Sequence, residues 1–99
     1  MEDSRGTQGR LNVLGINFPI SDFLKDSIID AETISRRGGC WTAILVIKDP
    51  QTQEPFVSFN RWQLDRGNWK LRKSIFFKRK RQIEDIVQAL SRLKKHLEE

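Results

Sequence analysis

The stretch RGNWKLRKSIFFKRKR, residues 66–81, decides how this chain is read. It interleaves eight Lys and Arg residues with Trp69, Leu71, Ile75, Phe76 and Phe77. It is therefore either a solvated basic tail or a folded element that displays charge and aromatic rings together. Residues 69–78 suit one strand, on which alternate side chains point to opposite faces. Trp69, Leu71, Lys73, Ile75 and Phe77 then share a face that is apolar except for Lys73. Lys70, Arg72, Ser74, Phe76 and Lys78 share the other. The first face is expected to pack beneath a helix and the second to meet a ligand.

That helix follows at once. In KRKRQIEDIVQALSRLKKHLEE, residues Ile83, Ile86, Val87, Leu90, Leu93 and Leu97 recur at spacings of three and four, one apolar stripe on a helix. The cations at 79–81 oppose the macrodipole at its start, and a phosphate would relieve that mismatch.

Upstream, FVSFNRWQL (56–64) is a strand joined to 69–78 by the turn DRGN. CWTAILVIK (40–48) is rich in β-branched and aromatic residues, and the loop DPQTQEP (49–55) follows it. SIIDAETIS (27–35) is β-capable and runs into the turn RRGG at 36–39. The fold class is thus α+β: a four-stranded antiparallel meander followed by a long C-terminal amphipathic helix. Residues 27–99 form one domain. Residues 1–26 form an N-terminal extension, disordered over MEDSRGTQGR, with Leu11 to Ile16 readable as a short strand and Ser21 as the cap of a helical turn through Phe23 and Leu24.

Charge is local. Residues 1–60 carry six basic and eight acidic groups, residues 61–81 nine basic groups and one Asp, and residues 82–99 three basic and four acidic groups. A net charge of +5 gathered in one segment points to an anionic partner, nucleic acid before membrane. The helix's polar face mixes both signs, so membrane attachment is not expected. A chain of 99 residues buries a modest core, which dimerisation would supplement. The lone cysteine, Cys40, fits a reducing compartment, and no apolar run reaches transmembrane length. The expectation is an intracellular protein, cytoplasmic and nucleoid-associated or nuclear. The only histidine, His96, lies at the helix end, and there is no Ser-His-Asp set, carboxylate pair, phosphate loop or Cys/His ligand set. No enzyme, cofactor or metal is expected.

Strand 56–64 repeats the two-faced pattern, with Val57, Phe59, Arg61 and Gln63 opposite Phe56, Ser58, Asn60 and Trp62. Trp62 beside Arg61 offers stacking plus a phosphate contact, although large aromatics are more often core. Phe76 is the ring expected to be exposed. The KRKR cluster (Lys78, Arg79, Lys80, Arg81) and the turn residues Arg36 and Arg37 are further candidate contacts. An acidic protein docking on the same basic strand is the competing reading, and single-stranded RNA is a third.

Arg61-Trp62, the DRGN turn, Lys70/Arg72/Lys73 and Ile75-Phe76-Phe77, followed by a helix, resemble the positive cofactor four family. Its members are transcriptional coactivators that bind single-stranded DNA, with the plant Whirly proteins as structural relatives. The resemblance spans about residues 40–97. It implies a homodimer packed through the C-terminal helix, the transcription machinery as a further partner, and Arg61, Trp62, Lys70, Arg72 and Lys73 as DNA contacts. Lys73 then conflicts with simple alternation, which a bulge near it would resolve. The family's Lys-Pro-Gly step is missing, and Ser74 stands where it has Gly.

Overall fold

A computed structural model describes residues 17–97. The expected strand at Leu11–Ile16 and the disordered start lie outside the described residues. A short helix α1 (Asp22–Lys25) precedes four strands, β1 (Ile28–Arg37), β2 (Cys40–Lys48), β3 (Pro55–Asp65) and β4 (Asn68–Phe77). Helix α2 (Lys80–Leu93) and a 3₁₀ turn, Lys94–His96, complete the chain. Ser21 does sit at the N-cap of α1, but its side chain makes no capping hydrogen bond. The sheet order is β1-β2-β3-β4 with every neighbouring pair antiparallel, so the expected meander is present.

Two tight turns set the register. Gly38 and Gly39 have φ of 62° and 75°, and Arg66 and Gly67 have φ of 54° and 83°. Two-residue hairpins with positive φ at both positions match the twist of the flanking strands, and glycine reaches that region without strain. The first turn is tighter than RRGG implied. Arg36 and Arg37 pair with Trp41 and Cys40, so both belong to β1 and not to the turn.

The pairing is uninterrupted between β2 and β3 and broken on both edge strands. In β1 the register skips Ile29 and Ile34, and in β4 it skips Arg72, because Arg61 pairs with Lys73 while Trp62 pairs with Leu71. Each skip is a bulge, which strengthens local twist and blunts an edge against further strand addition.

The core lies on one face. Phe18, Ala31, Trp41, Ala43, Leu45, Ile47 and Trp62 are buried, with Ile20, Leu24, Ile28, Phe56 and Trp69 packed against them. Trp41 and Trp62 are direct cross-strand partners with ring centroids 5.3 Å apart. Phe18, from the segment read as an extension, stacks on Trp41 at 5.3 Å and is 1% exposed. Two buried β3 residues are polar and satisfied within the sheet. Asn60 Oδ1 accepts from Ser58 Oγ at 2.9 Å and from Ser74 Oγ at 3.0 Å, and Asn60 Nδ2 donates to the Ser58 carbonyl at 3.1 Å.

Two expectations fail here for one reason. Trp69 and Leu71 pair with Leu64 and Trp62, but beyond the bulge Ser74 and Phe76 pair with Asn60 and Ser58, which lie on that same face. Lys73, Ile75 and Phe77 therefore join Lys70 on the opposite face. The continuous apolar face meant to lie beneath the helix does not exist. Helix α2 accordingly does not cover the sheet: only Ile83 is half-buried, and Leu90 is 63% exposed. It is also shorter than the 78–99 stretch in which its period is read, 14 residues before the 3₁₀ turn. None of the helices among the described residues is long and apolar enough to cross a membrane.

Asn60→Ala is expected to lower unfolding stability by about 2 kcal/mol, because the buried Ser58 hydroxyl loses its acceptor. Arg66→Asn is expected to raise it by about 0.5–1 kcal/mol, since Asn tolerates the left-handed region better. Urea midpoints measured at constant m-value check both.

Candidate nucleic-acid interface

The bulge at Arg72 builds the site. A bulged residue and its successor leave the strand toward the same side, so Arg72 and Lys73 join Lys70 on the face away from the core. Lys73 pairs with Arg61, and Lys70 with Gln63. Four sequence-predicted contacts, Arg61, Lys70, Arg72 and Lys73, thus converge on the exposed face of the β3–β4 hairpin. The bulge removes the conflict over Lys73.

Local bonds orient these cations. Arg72 Nε donates to Gln63 Oε1 at 2.9 Å, fixing the guanidinium across the hairpin. Lys70 Nζ lies 3.1 Å from Asp65 Oδ2 at the turn. Arg61 Nη2 contacts the sulfur of the free, half-buried Cys40 at 3.7 Å. Arg61 faces Lys73 directly, and like charges opposite one another on a sheet repel. An anion seated between them would remove that repulsion. Farther along the same face, Ile44, Val46, Val57, Phe59, Ile75 and Phe77 form an apolar half through their cross-strand pairs.

A second cluster lies where β4 runs into α2. Phe76, Lys78, Arg79, Arg81, Gln82 and Asp85 line an open cleft. Phe76 is 58% exposed, as alternation implied, and its ring meets Phe56 edge-on at 5.5 Å. It shares the core face of the sheet, however, and not the face of Lys70 and Arg72, because the bulge separates them. Arg79 is the N-cap of α2 and no side chain caps the helix, whose first turn contains no acid.

The remaining candidates are placed elsewhere. Trp62 is 0% exposed, closed in by Trp41 and Phe18, and offers no ring to a base. Its Nε1 has no hydrogen-bond partner among the described residues, so the residue serves the core by its bulk. Arg36 lays its guanidinium over Trp41 at 4.0 Å and near Trp69 at 5.5 Å, which makes it a cation–π cover for the core. Arg37 is exposed at the end of β1, and Lys80 is exposed at the start of α2 outside the cleft. Sequence reasoning missed Gln63, which cross-strand pairing with Lys70 would have supplied. It also left Gln82 and Asp85 unassigned; with Arg81 their i, i+1, i+4 spacing marks one side of the helix. Among the described residues no group of three or more His, Cys, Asp or Glu side chains is placed to hold a metal.

Asp65→Asn frees Lys70 from its partner and removes a negative charge beside the row. The variant is expected to elute from heparin at higher salt than the parent protein, and Lys70→Ala at lower salt.

No protein-family model, characterised protein or solved structure matches the chain.

Proposed function

We propose that the protein binds single-stranded nucleic acid, DNA in the first place, as a homodimer that acts in transcription regulation. The observation that carries the reading is the convergence of Arg61, Lys70, Arg72 and Lys73 on one exposed sheet face. A row of cations on a sheet follows a flexible, single-stranded backbone. Helix α2 argues against a groove-reading protein: the side it leaves uncovered is apolar, which suits a partner surface better than the major groove. The likeness of residues 40–97 to the positive cofactor four pattern supports the regulatory role.

The dimer follows from the same helix. Ile86, Val87, Leu90 and Leu93 are exposed on one stripe of the helix, with Leu97 exposed beyond the 3₁₀ turn, and exposed apolar surface of that kind marks an interaction site. A second copy supplies an identical stripe, and two such stripes bury each other. The apolar half of the sheet, with Phe59 and Ile75 exposed, adds area for the same contact.

Titration of a labelled single strand by fluorescence anisotropy tests the binding. Single-stranded DNA is expected to bind more tightly than duplex. If all four cations engage phosphates, the slope of log affinity against log salt is near −3, from roughly −0.7 per phosphate. Arg72→Ala and Lys73→Ala should each make that slope shallower by about 0.7. Equal affinity for duplex overturns the reading, whereas binding only to an acidic protein would assign the surface to a protein partner. A parallel RNA titration reads any use of the 2′-hydroxyl. Leu90→Asp is expected to convert a dimer into a monomer in sedimentation velocity; an unchanged sedimentation coefficient removes the helix from the interface.

A further inference from the structure

The cleft at the β4–α2 junction holds more than positive charge. Phe76 forms part of its wall, with its ring braced edge-on by Phe56, and Lys78, Arg79 and Arg81 surround it. Among the described residues Asp85 is the only acid in the lining, and its Oδ1 lies 3.6 Å from Arg81 Nε, one helical turn away. Both side chains are exposed, at 85% for Arg81 and 65% for Asp85, so the pair is open to exchange with a ligand. An exposed pair of this kind contributes little to stability. Its chemistry toward a base is more specific: the guanidinium presents N–H donors, and the carboxylate presents two adjacent acceptors.

Among the Watson–Crick edges only guanine's complements that row at all three positions. Guanine offers an O6 acceptor beside two donors, N1–H and the N2 amino group. Adenine places its N1 acceptor, cytosine its N3 acceptor and thymine its second carbonyl where a carboxylate oxygen would meet a lone pair. We infer that the cleft holds one guanine nucleotide of a bound strand. The base lies on Phe76, Asp85 and Arg81 read its edge, and Lys78 and Arg79 hold the adjoining phosphate. The inference rests on the single-strand reading above and adds a base preference to it. Gln82, in the same lining, is a further donor for O6.

The test uses the full chain and two labelled strands of equal length, oligo-dT and a strand with isolated guanines at every third position. Lithium buffer keeps guanine-rich strands unassociated. The guanine strand is expected to bind about tenfold more tightly, the effect of one good bidentate contact. Inosine, which lacks the N2 amino group, should lose most of that advantage. Asp85→Asn should abolish the preference, binding the guanine strand and oligo-dT with equal affinity. Arg61→Ala should weaken both strands by the same factor. Equal wild-type affinity for the two strands overturns the inference, and so does a preference that survives in Asp85→Asn. If neither strand binds, the single-strand reading falls, and an NMR titration with the mononucleotides decides the cleft by itself. GMP but not CMP should then shift the Phe76, Gln82 and Asp85 signals, and equal or absent shifts reject the guanine site.

Discussion

A strand has two faces, and one extra residue exchanges them. Without the bulge at Arg72, either Trp69 and Leu71 or Ser74 and Phe76 would have to leave the core face, since strict alternation cannot keep both pairs there. The first pair adjoins the tryptophan cluster, and Ser74 completes the hydroxyl pair on Asn60. The bulge keeps both arrangements and turns Arg72 and Lys73 outward together. Core packing and the cation row are two consequences of one inserted residue. That residue is placed on an edge strand, where a missing ladder bond is met by solvent.

The aromatic cluster explains how a small sheet manages with an uncovered helix. Trp41 contacts Phe18, Trp62 and Trp69 with centroid separations of 5.3 to 5.5 Å, and Arg36 closes the cluster from outside. Burying a large aromatic contributes on the order of 2–3 kcal/mol by area alone. Paired rings add about 0.5–1.5 kcal/mol each. With the core supplied by rings on one face and covered by Phe18, Ile20 and Leu24, α2 is not needed as a lid. Its stripe is left for another surface.

What was legible in the sequence follows from what is local. The hairpins were visible because glycine pairs at 38–39 and the Arg66-Gly67 step mark turns with positive φ, and the strands between them are β-branched. The faces of β3 were readable because that strand pairs without a skip to β2. The faces of β4 were not, because a bulge has no composition of its own; its one trace was the misfit of Lys73 on an apolar face. The bulges at Ile29 and Ile34 in β1 were hidden likewise, and both residues are exposed although their type suggested burial. Phe18 lay in a stretch with no periodicity, so its place between the tryptophans depends on tertiary contact alone. The amphipathic helix was clear by period, but period cannot say which surface a stripe meets.

The two faces are energetically separable, and that governs how substitutions are interpreted. The cations on the outer face sit in high dielectric, where a unit-charge pair at 4 Å is worth only about 1 kcal/mol. Crowding Arg61 against Lys73 is therefore tolerated, and the Lys70–Asp65 contact offsets part of it. None of the four contributes a side chain to the buried cluster. Truncating any of them changes the surface field while leaving the rings in place, so a loss of ligand affinity reports on the field itself. Trp62 and Arg36 behave in the opposite way: each touches the cluster, and weaker binding after their truncation reports on the fold first. Arg72 stands between these cases, because its side chain serves the outer face while its backbone makes the bulge. Arg72→Ala keeps the bulge and removes the charge together with its hydrogen bond to Gln63; a proline there would remove a backbone donor and fix φ, disturbing both faces at once.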